Sequence, residues 1–304
     1  QPAYLDYTQG VGFAGFGYQS RHPAYRELTM PAMLQRLMGA DVSTQPMPNF
    51  GLDFNLPGEQ PSRLYLGGAP EAYRASVQWP AASLGFSQHV FLARDVSVCG
   101  HTLVDELLVL VDTASPCLSL PAVVFDFLTS WLPLRCADTV SPTTNRMCFY
   151  EPAQAGETPI LPTLDFKLNV DGQTLHMPLE RLLLPLAKSA NTPYPTQQRM
   201  CVVRDVARLY AIMGNLPLSA FYAQLDMQSV RVGLANKFAT QPRTAQCLPR
   251  VPCRGMQSSY DGFNGCLEPS CFAYYFLDYN ADTASCEISP ALEGVMAALI
   301  ALFL

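Results

Sequence analysis

Charge is scarce in this chain. Asp, Glu, Lys and Arg make up 14% of 304 residues, and the net charge is −6 with no basic stripe. Without a concentrated positive field there is nothing to hold a phosphate backbone, so no nucleic-acid partner is expected. Metal-binding spacings are missing too. There is no Cys-x-x-Cys pair and no His-Glu-x-x-His, so a zinc site is not expected, and nothing asks for a cofactor. No Asn-x-Ser/Thr sequon or low-complexity segment occurs. Helix-length amphipathic runs are few, which turns the expectation away from a mainly helical fold.

Apolar residues make up 49% of the chain, and 26 prolines separate many short apolar runs. That combination predicts a mainly β, loop-rich fold. The length is sufficient for two lobes with cores of their own. Ten cysteines without a metal pattern point to an oxidising compartment, hence the secretory pathway. Beginning at Gln1, without Met or a signal peptide, the chain is expected to be a processed or truncated product.

The stretch 107–121 organises the rest. Five apolar residues run from 107 to 111, the small polar cluster Asp112-Thr113-Ala114-Ser115 follows, and a second apolar run closes at Pro121. An apolar run of this length reads as a buried strand. A carboxylate leaving such a strand is costly unless it is hydrogen-bonded or functional. Small neighbours let backbone N–H groups approach it, which keeps a buried Asp ionised or lets it share a proton.

Val111-Asp112-Thr113-Ala114-Ser115 with its following apolar run and Pro121 resembles the second active-site motif of pepsin-like aspartic peptidases, usually Asp-Thr-Gly-Thr/Ser-Ser. Other segments resemble that family in order. They are the Gly-rich 11–17, a short helix at 31–39, a half-buried strand at 50–56, and Arg63-Leu64-Tyr65-Leu66-Gly67-Gly68. An interlobe strand at 73–80, two strands within 86–98 and a helix at 121–132 follow. Then come an alternating strand at 161–168 with an Asp171-Gly172 turn, a strand at 182–185, Ala211-Ile212-Met213-Gly214-Asn215, and closing strands at 221–226 and 230–235. His89 and His101 read as surface or strand-edge residues.

The resemblance implies a pepsin-like bilobal fold with an incomplete N-terminal lobe. Residues 1–80 would be the end of that lobe and the interlobe strand. Residues 81–237 would be the C-terminal lobe with the Asp112 motif, followed by a Cys-rich appendage (238–290) and an apolar tail (291–304). It implies an aspartic endopeptidase acting on a peptide or protein substrate, with Asp112 as one of two acid/base carboxylates and Thr113 and Ser115 supporting it. Ala114, Gly214 and Asn215 fall at positions that support the site, Gly214 where two backbones touch. Ala114 stands where Gly is usual, and Pro116 removes a donor. The resemblance further implies a Cys148–Cys201 disulfide.

Half of that site is absent from the sequence. The first Asp motif and the flap would precede residue 11, and no second Asp-Thr/Ser-Gly occurs. Three arrangements stay open. The second aspartate comes from a missing segment or a partner chain; the chain is an inactive pepsin-like structural or binding subunit associated with a membrane; or two copies pair their Asp112 residues. Cys99, Cys117 and Cys136 lie near the Asp112 strand, where two could pair. Five cysteines between 247 and 286 read as a stapled appendage with one partner elsewhere. Residues 294–304 are uncharged and apolar, shorter than the roughly 20 residues of a membrane span, and are expected to be buried in membrane or protein. Cell surface and vacuole are the expected locations.

Overall fold

The computed structural model describes residues 49–84, 88–138, 146–151, 160–185, 198–238, 247–259, 263–269, 271, 277–280, 282–289, 292, 294, 295 and 300. The segments expected at 11–17 and 31–39, and most of the apolar tail, lie outside them. In chain order the strands are β1 (Phe50–Asp53), β2 (Arg63–Leu66), β3 (Val90–Val98), β4 (His101–Val111), β5 (Leu118–Pro121), β6 (Leu134–Asp138), β7 (Arg146–Tyr150), β8 (Thr163–Lys167), β9 (Leu175–Pro178), β10 (Leu183–Pro185), β11 (Gln198–Met200), β12 (Val202–Asp205), β13 (Ala211–Met213), β14 (Phe221–Asp226) and β15 (Arg231–Asn236). Four two- to four-residue strands follow: β16 (Ser258–Ser259), β17 (Cys266–Leu267), β18 (Leu277–Asn280) and β19 (Ser285–Ile288). Short helices punctuate them, among them α1 (Glu71–Arg74), α2 (Ala122–Ser130) and α3 (Asn215–Leu218).

The chain is mainly β, as its composition predicts. The largest sheet has the order β12-β5-β13-β4-β3-β8-β9. In β4 the residues Leu103, Leu107, Val109 and Val111 are buried with the two-residue period of a strand. One long strand, β3, replaces the two expected within 86–98. Asp95 sits at φ 52 inside the continuous strand, and the register shifts just beyond it, between Val96 and Ser97 against β4 and between Arg94 and Ser97 against β8. A second sheet, β15-β14-β1-β2, packs against the first through Phe221, whose ring meets Phe166 edge-on at 5.7 Å. Each such fully buried side chain contributes about 1.5–3 kcal/mol.

The two faces of this second sheet differ. Register places Leu52 opposite Leu64, and Phe50 opposite both Leu66 and Leu225, on one apolar face. Asp53, Arg63, Tyr65, Tyr222 and Gln224 alternate onto the other. All four residues of β1 are buried rather than half of them, because this polar face is covered as well. Tyr73 of α1 stacks on Tyr222 at 4.7 Å, and burial pushes the Tyr222 phenol up to about 12. Gly51 is required here, since a Cβ would lie 2.0 Å from the Tyr222 hydroxyl. The expected strand at 73–80 is therefore a helical turn, begun after Pro70, whose backbone pairs with the sheet where Gln78 exchanges hydrogen bonds with Leu234 (2.7 and 3.0 Å).

Paired charges hold the N-terminal part of this sheet in place. Lys237 Nζ lies 2.5 Å from Asp53 Oδ1 without a hydrogen-bonding angle; it donates instead to the Phe54 carbonyl and Asn55 Oδ1 at 2.6 Å each. Arg181 forms a two-pronged pair with Glu59 (2.9 Å each) and donates from Nε to Ser219 Oγ at 3.0 Å. That hydrogen-bonded pairing with Arg181 holds the Glu59 carboxyl down to about 2.

All ten cysteines are paired, as Cys99–Cys247, Cys117–Cys201, Cys136–Cys148, Cys253–Cys266 and Cys271–Cys286. The expected Cys148–Cys201 bond is not formed, and none of Cys99, Cys117 and Cys136 bonds another. Register gives the reason. Cys136 and Cys148 are directly opposed on β6 and β7. Cys117 and Cys201 immediately precede the parallel partners Leu118 and Val202. Five disulfides mark an extracellular or secretory-pathway protein. The Cys-rich region is stapled as expected, with one of its cysteines bound to the body. Its hairpins β16–β17 and β18–β19 have few buried apolar residues. Beyond Cys99–Cys247 it docks on the end of α2, where the Asn264 amide donates to the Ser130 carbonyl (3.2 Å) and the Leu248 N–H to the Trp131 carbonyl (3.1 Å). Among the described residues no helix is long and apolar enough to cross a membrane.

Candidate functional site around Asp112

β4 carries apolar residues up to Val111 and then releases Asp112 at its end. The chain turns there. The Ala114 N–H donates to Asp112 Oδ1 at 3.0 Å, and the Ser115 N–H to the Asp112 carbonyl at 3.1 Å. Ala114 thus supplies the backbone donor that the sequence calls for. The chain re-enters the sheet as β5, leaving a gap between β4 and β5 that β13 fills. β13 runs parallel to β4 and antiparallel to β5. Its last residue, Met213, accepts a hydrogen bond from the Asp112 N–H at 3.1 Å.

Gly214 then crosses directly beneath the loop. Its N–H donates to the Cys117 carbonyl at 3.2 Å, and the Asn215 N–H donates to the Ser115 carbonyl at 2.9 Å. A Cβ on Gly214 would stand 2.3 Å from the Ser115 carbonyl oxygen and 2.6 Å from that of Cys117. Both are backbone atoms with no freedom to withdraw. Glycine lets the two backbones approach this closely. Pro116 still contributes through its carbonyl, which accepts from the Leu216 N–H at 3.1 Å. Cys117–Cys201 fixes the far side of the same loop.

Asp112 is half-buried, and Thr113 and Ala114 are exposed. Asp112 and Thr113 open into a cavity of about 440 Å³ between the loop and the apolar face of the second sheet. Leu52, Phe54, Leu64 and Leu225 form the facing wall, with Ser62 among them. Arg63 lies on the rim, but strand alternation turns its side chain to the other face, where it hydrogen-bonds Tyr65. His89, read from sequence as a surface or strand-edge residue, is half-buried just before β3. It lines this cavity and accepts the Val111 N–H on its carbonyl at 2.8 Å. Only strand pairing places it opposite Val111, so no local sequence signal marks it. His101 instead stacks on Trp131 at 4.0 Å.

A second Asp-Thr-Ala-Ser, at 282–285, lies far along the chain in the turn between β18 and β19. Its hydroxyls are tied to Glu287 and not to the Asp112 cavity (Thr283 Oγ1 to Glu287 Oε1, 2.6 Å). Among the described residues no His, Cys, Asp and Glu side chains gather as a metal site. The site resolves into one carboxylate, held by the Ala114 backbone N–H, at the end of an apolar slot. No family model matches the chain, and no curated protein matches it.

Proposed function

We propose that this chain supplies one half of a two-aspartate peptidase centre in a pepsin-like, bilobal fold. The carrying observation is the crossing itself: Asp112 leaves β4 beside a parallel β13, and Gly214 passes under its loop with backbone contacts on both sides. In this reading Asp112 and a second carboxylate, from a missing segment or partner chain, share one proton. The ionised carboxylate takes a proton from water, and the water oxygen bonds to the peptide carbonyl carbon. The protonated carboxyl gives its proton to the carbonyl oxygen. Proton transfer to nitrogen then releases the amine as the C–N bond breaks. Thr113 and Ser115 support the loop, and the slot accepts an apolar part of a peptide substrate.

A second reading is favoured by the facing wall. Within the described residues the cavity holds no second carboxylate, and Leu52, Phe54, Leu64 and Leu225 face Asp112. The chain would then be a binding or structural subunit without hydrolysis, held at a membrane by the apolar 294–304; a cell-surface or vacuolar site would follow. Mass-spectrometric inventory of the natively purified protein separates the two. A second polypeptide bearing Asp-Thr/Ser-Gly supports the peptidase; purification alone or with unrelated membrane subunits supports the subunit.

A further inference from the structure

Where α1 and the turn before β9 meet the end of β15, apart from the Asp112 slot, lie two adjoining open cavities of about 700 and 460 Å³. Both are lined by Tyr73, Lys237 and Phe238, so they form one groove. Its volume is in the range of ligand sites. The larger half adds Gln173, Thr174 and His176, and the smaller adds Glu59.

Three features define what could bind. First, the charged lining groups are already neutralised from behind. His176 Nδ1 is 2.8 Å from Asp165, Lys237 faces Asp53, and Glu59 is held by Arg181. The groove therefore offers little net charge to an ionic ligand. Second, the inward hydrogen bonds fix the lining before any ligand arrives. Asn236 Oδ1 accepts the His176 N–H at 2.9 Å, while its Nδ2 donates to the Thr174 carbonyl at 3.1 Å. Such preorganisation lowers the entropic cost of binding. Third, two aromatic rings border the groove beside hydroxyl and amide groups. Tyr73 is backed by Tyr222 and Phe238 by the Arg181 guanidinium, 4.7 Å from the ring centre. An aromatic edge with neutral donors and acceptors suits a ligand with both C–H faces and hydroxyls. It does not suit a lipid, which needs an enclosed apolar cavity.

We infer that this groove binds a neutral oligosaccharide, with Tyr73 and Phe238 against the sugar rings and Gln173, Thr174 and His176 on the hydroxyls. The site is independent of any chemistry at Asp112. The test is calorimetric titration of the full-length protein with chitohexaose, cellohexaose and a high-mannose N-glycan, and with a heparin octasaccharide as the anionic comparison. Saturable binding of at least one neutral probe is expected, weakened about tenfold or more by Phe238→Ala and by Gln173→Ala, since truncating a contact at the centre of a site typically has that effect. Gln173 is exposed, so its variant reports on binding even if Phe238→Ala disturbs the fold. Failure of all three neutral probes to bind, binding that Gln173→Ala leaves unchanged, or tighter binding of heparin would overturn the inference.

Discussion

The tetrapeptide Asp-Thr-Ala-Ser occurs twice in this chain, and the two copies have different surroundings. At 112–115 it follows a half-buried eleven-residue strand and is crossed by a second chain segment at Gly214. At 282–285 it closes a hairpin of two four-residue strands, with Ala284 at φ 51 and the hydroxyls turned onto Glu287. Each copy has a glycine pressed against it. Gly255 lies where a Cβ would be 2.6 Å from the Ala284 carbonyl oxygen, much as Gly214 lies under Ser115. The difference is what surrounds the glycine. Around Asp112 it is a seven-stranded sheet with an apolar core; around Asp282 it is a small region held by disulfides. A motif word gains chemistry from the strand that delivers it and the cavity it opens into, not from its letters.

The largest effect should come from opening the staple beside the first copy. Cys117 and Cys201 are 84 positions apart, and loop entropy assigns their bond roughly 4–5 kcal/mol. Replacing both with Ser should lower urea stability of the body by that order, whereas replacing Cys253 and Cys266, 13 apart, should release the appendage and leave the body's transition in place. Next are the two glycines. Gly214→Ala should cost about 3 kcal/mol of body stability, because neither carbonyl can move away. Gly255→Ala, at φ +50, should cost about 1–2 kcal/mol and show only in amide exchange of the appendage. Equal losses in the same transition would abolish the contrast drawn here.

A smaller effect concerns acid. Glu59 is held at about 2 against 4.5 in the unfolded chain, chiefly by its hydrogen bond to Arg181. A depressed carboxyl stabilises the fold above the unfolded value and loses that contribution as pH falls from about 4.5 through 2. Glu59→Gln should therefore flatten stability over that window, read by thermal melts at stepped pH. An unchanged acid limb would mean the pair contributes nothing to holding residues 49–84.

Much of this was legible in the chain. The run into Asp112, the glycine at 214, the Asp171-Gly172 hairpin and the β13–β14–β15 succession carry local signals that the fold respects, because apolar periodicity and close backbone contact leave few alternatives. Disulfide partners were not legible, since pairing follows register between strands that sequence cannot align. The helical turn at α1 was hidden because Tyr73, Val77 and Trp79 have the alternating look of a strand; they cover the second sheet's polar face rather than extend it. His89 and the leucine wall of the Asp112 cavity were invisible for the same reason: long-range packing brings them there.

The most direct test is acid-pH cleavage of a denatured protein substrate by the natively purified protein, compared across wild type, Asp112→Asn and Asp282→Asn. Loss of cleavage in Asp112→Asn alone, with wild-type rates in Asp282→Asn, is the predicted result. Cleavage that survives Asp112→Asn, or a wild type that cleaves nothing while its intact partners are present, would contradict the assignment of a peptidase carboxylate to Asp112.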